Sequence, residues 1–279
     1  MTSRITKDTR LCMSLSGRPG NTGTRFHNHL YEKLGLDYVY KAFTTTDIVA
    51  AIGGVRALGI RGCAISMPWK EDVIPLVDEM TESATAIESV NTIVNDDGHL
   101  TAYNTDYLAL RRLLAEHDVP RDATYAVLGS GGMAKAAVAA LVDSGFGGHG
   151  VGTVVARNPR SGPALAQKYG LDHRESMGDL RPQLILNATP FGMAGGSGKD
   201  DLADRMPVDA DVVRAADVVF DVVAMPAQTP LVRCAQDAGV HVITGDAVMA
   251  WQAAEQFTLY TGVQLTDEQV REASEYSRR

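Results

Sequence analysis

Residues Ala126–Ala140 read AVLGSGGMAKAAVAA, an apolar run that enters Gly129-Ser130-Gly131-Gly132 and leaves as an alanine-rich helical pattern. A strand, a glycine turn and a helix N-terminus in that order build a site for a pyrophosphate. Gly129 permits the tight turn, Gly131 lets the backbone approach the ligand, and Ala134 at the third fingerprint position keeps the helix against its strand. The unpaired N–H groups and the dipole of the new helix then face the anion. The next strand pattern, Thr153–Ala156, runs into Arg157-Asn158-Pro159-Arg160, at the position where NAD-binding folds place an Asp or Glu on the ribose 2′-hydroxyl. No carboxylate stands there. Arg157 and Arg160 suit a 2′-phosphate, and Arg157 also suits stacking on an adenine, so NADP is expected over NAD.

Outward from the fingerprint, strands are expected at Tyr125–Leu128, Thr153–Ala156, Leu184–Asn187, Val218–Asp221 and Val240–Ile243, most of them separated by helical patterns. That alternation describes a Rossmann-type domain over residues 105–246. Gly145–Gly152 and Gly195–Gly198 read as loops within it. The first third repeats a βαβ spacing: strands at Leu11–Leu15, Tyr38–Phe43 and Gly62–Ser66, and helices at Arg25–Lys33 and Thr46–Leu58. Gly17–Arg25, GRPGNTGTR, has the Gly, Pro and Asn content of a mobile loop. Asp106–Glu116 reads as an amphipathic helix joining two domains, and Ala247–Thr261 and Asp267–Tyr276 as helices that return to the first one. The expectation is an α/β protein of two domains, residues 1–104 with 247–279 for a substrate and 105–246 for NADP, with the active site in the cleft between them.

The 279 residues are 45% hydrophobic, enough to furnish a core in each domain. A net charge of −8 without a basic run argues against nucleic acid or an anionic membrane surface as partner. The opening MTSRITKDTRLC has no apolar signal-type region and no segment approaches the ~20 apolar residues of a membrane span, so a cytoplasmic protein is expected. Cys12, Cys63 and Cys234 are scattered and read as buried free thiols. With no CxxC, no HExxH and no clustered His/Asp set, no metal is expected. A monomer and a homodimer are equally compatible with this composition.

Three polar clusters stand at the ends of strand patterns: SLS at Ser14–Ser16, SMPWK at Ser66–Lys70, and VNT at Val90–Thr92 with YNTD at Tyr103–Asp106. Ligands gather outside the carboxyl ends of parallel strands, so these clusters are expected to converge. Reducing a ketone by hydride leaves negative charge on oxygen, which a positioned ammonium stabilises and protonates; Lys70 is of the right type. Asp106 opens a helix pattern, where a carboxylate serves as an N-cap or as a site group, and Asn91 suits a turn cap equally.

With these motifs in place the chain resembles the shikimate dehydrogenase family. The resemblance implies that Ser14 and Ser16 bind the substrate carboxylate and that Lys70 is the catalytic lysine. By the same likeness Asn91 and Asp106 flank the substrate hydroxyls, Asp106 also orienting the lysine, while Ser66 stands where the family has threonine. It further implies cofactor contacts from Gly129, Ser130, Gly131, Gly132, Met133 and Ala134 in GSGGMAKAA, from Arg157, Asn158 and Arg160, from Asn187, Thr189 and Met193 in NATPFGM, and from Gly245. Gln252 matches the C-terminal substrate-binding glutamine. Departures gather around the substrate: Ala64 replaces an asparagine and Ala224 a tyrosine. The segment between Ser16 and His27 is about seven residues longer than the family pattern, and its Arg18 and Arg25 are candidates for an anionic group on the substrate. These features resemble the divergent shikimate dehydrogenase-like branch. The implied activity is reversible NADP-dependent oxidation of a shikimate-like cyclic hydroxy acid. Quinate or another polyol acid as substrate, or a catalytically weak NADP-binding sensor, are the alternatives.

Overall fold

The computed structural model describes residues 5–194 and 202–279. The predicted Gly195–Gly198 loop lies outside the described residues. The chain divides into two compact units, Met1–Thr105 with Ala250–Arg279, and Asp106–Met249.

In the first unit β1 (Arg10–Leu15), α1 (Thr22–Lys33), β2 (Tyr38–Phe43), α2 (Ile48–Ala57) and β3 (Gly62–Ile65) form the expected βαβαβ run. Asp47 caps α2 by accepting from the Ala50 N–H at 2.9 Å. Beyond it the sheet is mixed, which the βαβ spacing did not anticipate. β4 (Glu79–Met80) and α3 (Glu82–Thr85) lead to a hairpin of β5 (Thr92–Asp96) and β6 (His99–Tyr103), and the sheet order is β2-β1-β3-β5-β6-β4. The hairpin turns through Asp97 and Gly98, both at positive φ, and Gly98 N–H donates to Asn95 Oδ1 at 2.7 Å. β5 runs antiparallel to β3, so its first residues lie at the carboxyl ends of β1 and β3.

The expected Gly17–Arg25 loop is corrected in its second half. α1 begins at Thr22, so Gly23, Thr24 and Arg25 are helical, and the Arg25 N–H donates to the Asn21 carbonyl at 2.8 Å. Phe26, His27, Leu30 and Tyr31 form the buried stripe of this helix. Burying that stripe outweighs the roughly 1 kcal/mol that one helical glycine costs.

The second unit opens in the helix α4 (Thr105–Glu116). It continues through β7 (Tyr125–Leu128), α5 (Gly132–Asp143), β8 (Gly152–Val155), α6 (Ser161–Tyr169), β9 (Asp172–Arg174), β10 (Leu184–Asn187), α7 (Ala210–Arg214), β11 (Val218–Asp221), α8 (Pro230–Asp237) and β12 (His241–Thr244). All six strands are parallel in the order β12-β11-β10-β7-β8-β9, the Rossmann arrangement with its switch point between β7 and β10. β9 is a three-residue edge strand that hydropathy alone did not mark. Ala134 and Ala136–Leu141 of α5 are buried, small residues that seat the helix close to the sheet. No helix among the described residues is long and apolar enough to cross a membrane.

The chain ends in α9 (Gly245–Thr261) and α10 (Asp267–Ser277). The later turns of α9 pack in the first unit, where a Cβ on Gly62 of β3 would meet the Tyr260 ring at 2.3 Å. Around Tyr260 lies an aromatic cluster centred on His27, which is fully buried. Its ring stacks on Tyr40 at 4.4 Å and 8° and on Phe257 at 6.1 Å. The thiols of Cys12 and Cys63 are buried and free, and Cys234 is half-buried and free. Burial pushes the Cys12 thiol up to about 12.

Burial also drives His27 down from 6.5 to about 3, the neighbouring Gln256 opposing the shift. The native imidazole is therefore neutral where the unfolded one charges. Its contribution is complete above pH 6.5 and is lost as pH falls from 6.5 towards 3, with a slope of up to about 1.4 kcal/mol per pH unit. Urea unfolding measured across that window should lose about one proton's worth of slope in His27→Phe. An unchanged slope would assign the pH dependence to other groups.

Candidate functional site

In the first unit the polar clusters meet at one end of the mixed sheet, joined through backbone bonds. Ser16 N–H donates to the Phe43 carbonyl at 3.2 Å, Ser66 N–H to Leu15 at 2.9 Å, and Ile65 N–H to Asn91 at 2.8 Å. Val90 N–H donates to the Lys70 carbonyl at 2.9 Å, which sets the lysine's backbone beside Asn91. Ser14 is half-buried and pairs with Ala64 across β1 and β3. Ser16 is buried, whereas Ser66 is exposed and Lys70 half-buried in the turn after β3. Asn91 was expected at a strand end; it instead precedes β5, and the reversed direction of that strand is what brings it here.

Asn91 is buried and its side chain is polarised by its neighbours. Oδ1 accepts from Thr105 N–H at 2.7 Å, Thr92 Oγ1 at 2.9 Å and Thr105 Oγ1 at 3.1 Å. Three donors fix the amide orientation, and Nδ2 is left buried with no hydrogen-bond partner. Asn91 thus caps the start of α4 across space and keeps one donor unused. Gln252, half-buried on α9, accepts at Oε1 from Gln256 at 3.4 Å and lies 3.5 Å from Thr105 Oγ1, whose one proton has the nearer Asn91 Oδ1 as acceptor. Gln256 was not singled out from the sequence, although it lies one helical turn after Gln252 on the same face.

In the second unit Asp106 is half-buried in the first turn of α4, where the free N–H groups favour a carboxylate. It lies inside the helix and is not the N-cap. Gly129 has φ +109, and a Cβ there would come within 3.1 Å of the Ala188 carbonyl oxygen. Gly131, at the N-cap of α5, faces open space, with nothing within 4 Å of an added Cβ. Gly129 and Ser130 border a pocket of about 520 Å³ walled by Arg157, Asn158, Thr189 and Phe191. Arg157 lies 6.0 Å and Arg205 5.5 Å from the Phe191 ring centre. Arg205 and Glu175, which also line this pocket, were not expected from the sequence because they come from distant segments.

Several expected cofactor residues have other attachments. Asn187 is fully buried; its Nδ2 donates to Asp221 at 2.9 Å and its Oδ1 accepts from Thr189 N–H and Oγ1. That engagement makes its side chain a brace between the ends of β10 and β11. Asp221 is also bound by Thr229 Oγ1 at 2.6 Å and Val223 N–H at 3.1 Å, and burial holds its carboxyl above the usual carboxylate range. Asn158 Oδ1 ties off the turn into α6 by accepting from Arg160 and Ser161 N–H. Arg160, Met133 and Met193 are not among the pocket walls. A Cβ on Gly245 would strike the Val222 carbonyl oxygen at 2.4 Å, so packing demands that glycine. Among the described residues no group of three or more His, Cys, Asp or Glu is placed to hold a metal ion.

A Rossmann unit with an open glycine turn, together with a second α/β unit bearing a row of serine, lysine and amide groups, defines a dehydrogenase-type architecture. The profile of the shikimate dehydrogenase substrate binding domain matches residues 22–93. The chain is 52% identical to a shikimate dehydrogenase-like protein of Haemophilus influenzae, covering 98% of both. It is 33% identical to the NADP(+) shikimate dehydrogenase of Pelodictyon phaeoclathratiforme, covering 96% of this chain and 98% of that one. The solved shikimate 5-dehydrogenase of Thermus thermophilus, in complex with NADP(H) and shikimate, matches with a TM-score of 0.83 and 27% identity over 96% of this chain and 99% of the other. The chain belongs to the shikimate dehydrogenase family.

The two turn glycines carry different demands. Gly129→Ala must place a side chain at positive φ against a backbone carbonyl and should lower the unfolding free energy by about 1–3 kcal/mol. Gly131→Ala should stay within about 0.5 kcal/mol of the parent without ligand. Denaturant titration of both variants checks the contrast, and equal losses would contradict this account of the turn.

Proposed function

We propose that this chain is an NADP-dependent dehydrogenase that interconverts a shikimate-like cyclic hydroxy acid and its keto form. The observation that carries the reading is the buried, unpartnered Nδ2 of Asn91, in a segment whose backbone is bonded to Ile65 and, through Val90, to Lys70. A buried donor without a partner costs about 1–3 kcal/mol, and a substrate hydroxyl would satisfy it. The family relatives that are named for shikimate and NADP support the same class.

The glycine turn and its pocket fit a dinucleotide. Gly131 leaves the backbone open to a pyrophosphate, and Arg157 with Arg205 sets two guanidinium groups against the single carboxylate of Glu175, a cationic balance that suits a 2′-phosphate. When bound, the nicotinamide supplies one chemistry, taking a hydride from the carbinol carbon or returning it. The chain's own residues do the rest. Ser14 and Ser16 hydroxyls hold the acid's carboxylate, Asn91 and Gln252 hold ring hydroxyls, and Lys70 Nζ takes the hydroxyl proton in oxidation and returns it in reduction. Asp106 is assigned to the same proton-transfer step. Ala64 and Ala224 replace larger polar side chains of the family pattern, so the acid is to be read from turnover.

A panel of cyclic hydroxy acids with NADP and NAD, followed by reduced-cofactor absorbance, tests the reading. Steady NADPH formation with shikimate is the expected result. Formation only with quinate or another acid reassigns the substrate, and tight cofactor binding without turnover on any acid overturns the enzyme reading. Lys70→Ala and Asp106→Asn should each lower kcat by roughly 10²–10⁴ with little change in ligand binding; near-parental turnover in both would remove them from the mechanism. Arg157→Ala should weaken NADP by roughly ten- to a hundredfold and leave NAD nearly unchanged, whereas equal losses would sink the 2′-phosphate assignment.

A further inference from the structure

Gln256 is buried on α9, outside the row of groups assigned to the substrate. Its Nε2 donates to Thr92 Oγ1 at 3.0 Å and, at longer range, to the Asn91 carbonyl at 3.5 Å and to Gln252 Oε1 at 3.4 Å. On its other side lies the buried imidazole of His27, kept neutral by its surroundings. A hydroxyl carries one proton. Because Gln256 donates into Thr92 Oγ1, the Thr92 proton is directed onward to Asn91 Oδ1, 2.9 Å away. The bonds therefore run in one direction, from Gln256 through Thr92 to Asn91, and end at an Nδ2 that has no partner.

We propose that Gln256 is a positioning residue that sets the hydrogen-bond polarity of the substrate site. Through Thr92 it holds the Asn91 amide with its oxygen as the bonded end and the buried Nδ2 as the unpaired end, and it fixes Gln252 Oε1 as an acceptor in the same way. The site then offers donors, not acceptors, at these two places, and selects ligand oxygens that accept. This rests on the substrate role proposed for Asn91, whereas the polarity itself is a property of the ligand-free protein.

The experiment uses Gln256→Leu and the near-isosteric Gln256→Glu, each alone and combined with Thr92→Val, in the full-length chain. Gln256→Leu lacks the donor, and Gln256→Glu, when ionised, draws the Thr92 proton back towards itself. The first readout needs no ligand: the Asn91 side-chain amide resonances in ¹H–¹⁵N spectra. They should shift or double in either Gln256 variant and in Thr92→Val, with no further change in the combined variants. The second readout is kinetic, with the acid that the parent enzyme turns over. KM for that acid should rise about tenfold while kcat stays within about threefold and KM for NADP is unchanged, the pattern of lost binding. Adding Gln256→Leu to Thr92→Val should raise KM no further.

Unchanged Asn91 resonances in both Gln256 variants would overturn the proposal, as would KM effects that simply add. If one variant fails to fold, the other carries the test. If the parent turns over no acid, the functional reading fails, while the resonances still decide the polarity.

Discussion

The site in the first unit depends on the saturation of one buried carbonyl. Asn91 Oδ1 takes bonds from Thr105 N–H, Thr105 Oγ1 and Thr92 Oγ1, and so ties the start of α4 to the start of β5. Low dielectric strengthens each of these bonds and makes a lost partner costly. The same arrangement decides which edge of the amide is available. A free amide can turn over; this one cannot without breaking three bonds. A single asparagine therefore serves as a spatial helix cap, an anchor for the strand junction and an oriented donor.

The second unit is organised by a comparable buried brace at the carboxyl ends of β10 and β11. Asp221 accepts from Asn187, Thr229 and Val223, which fixes the loop entries next to the Gly129 turn. The glycine is required because the Ala188 carbonyl stands where a Cβ would be. Turn and brace are thus parts of one packing solution, which leaves the face of Gly131 open. Both ends of the Asn187 amide are engaged within the protein, which makes its side chain part of this scaffold.

Legibility in the sequence followed the range of the interaction. The Rossmann series could be read because strand, glycine turn and helix are local patterns, and all five expected strands of that series fall within a residue of their place. The hairpin of β5 and β6 was missed because β5 is buried at all but its last position and shows no alternation, while the alternation of β6 spans only five residues. Its direction nevertheless decides where Asn91 lies. The start of α1 was misread because Gly23 and Asn21 dominate local propensity, whereas the helix is held by the burial of Phe26 and His27. Lys70, Asn91 and Gln252 were visible only as motif matches. Gln256, Arg205 and Glu175 acquire meaning from neighbours far along the chain, which no local pattern carries.

The proposed reaction requires hydride to pass directly between the acid's carbinol carbon and NADP. Supplying the acid with deuterium on that carbon and recovering the reduced cofactor tests it most directly. The account predicts deuterium at C4 of the dihydronicotinamide, on one face only and without loss to water. Reduced cofactor that carries no deuterium, or an acid that is bound but never oxidised, would contradict it.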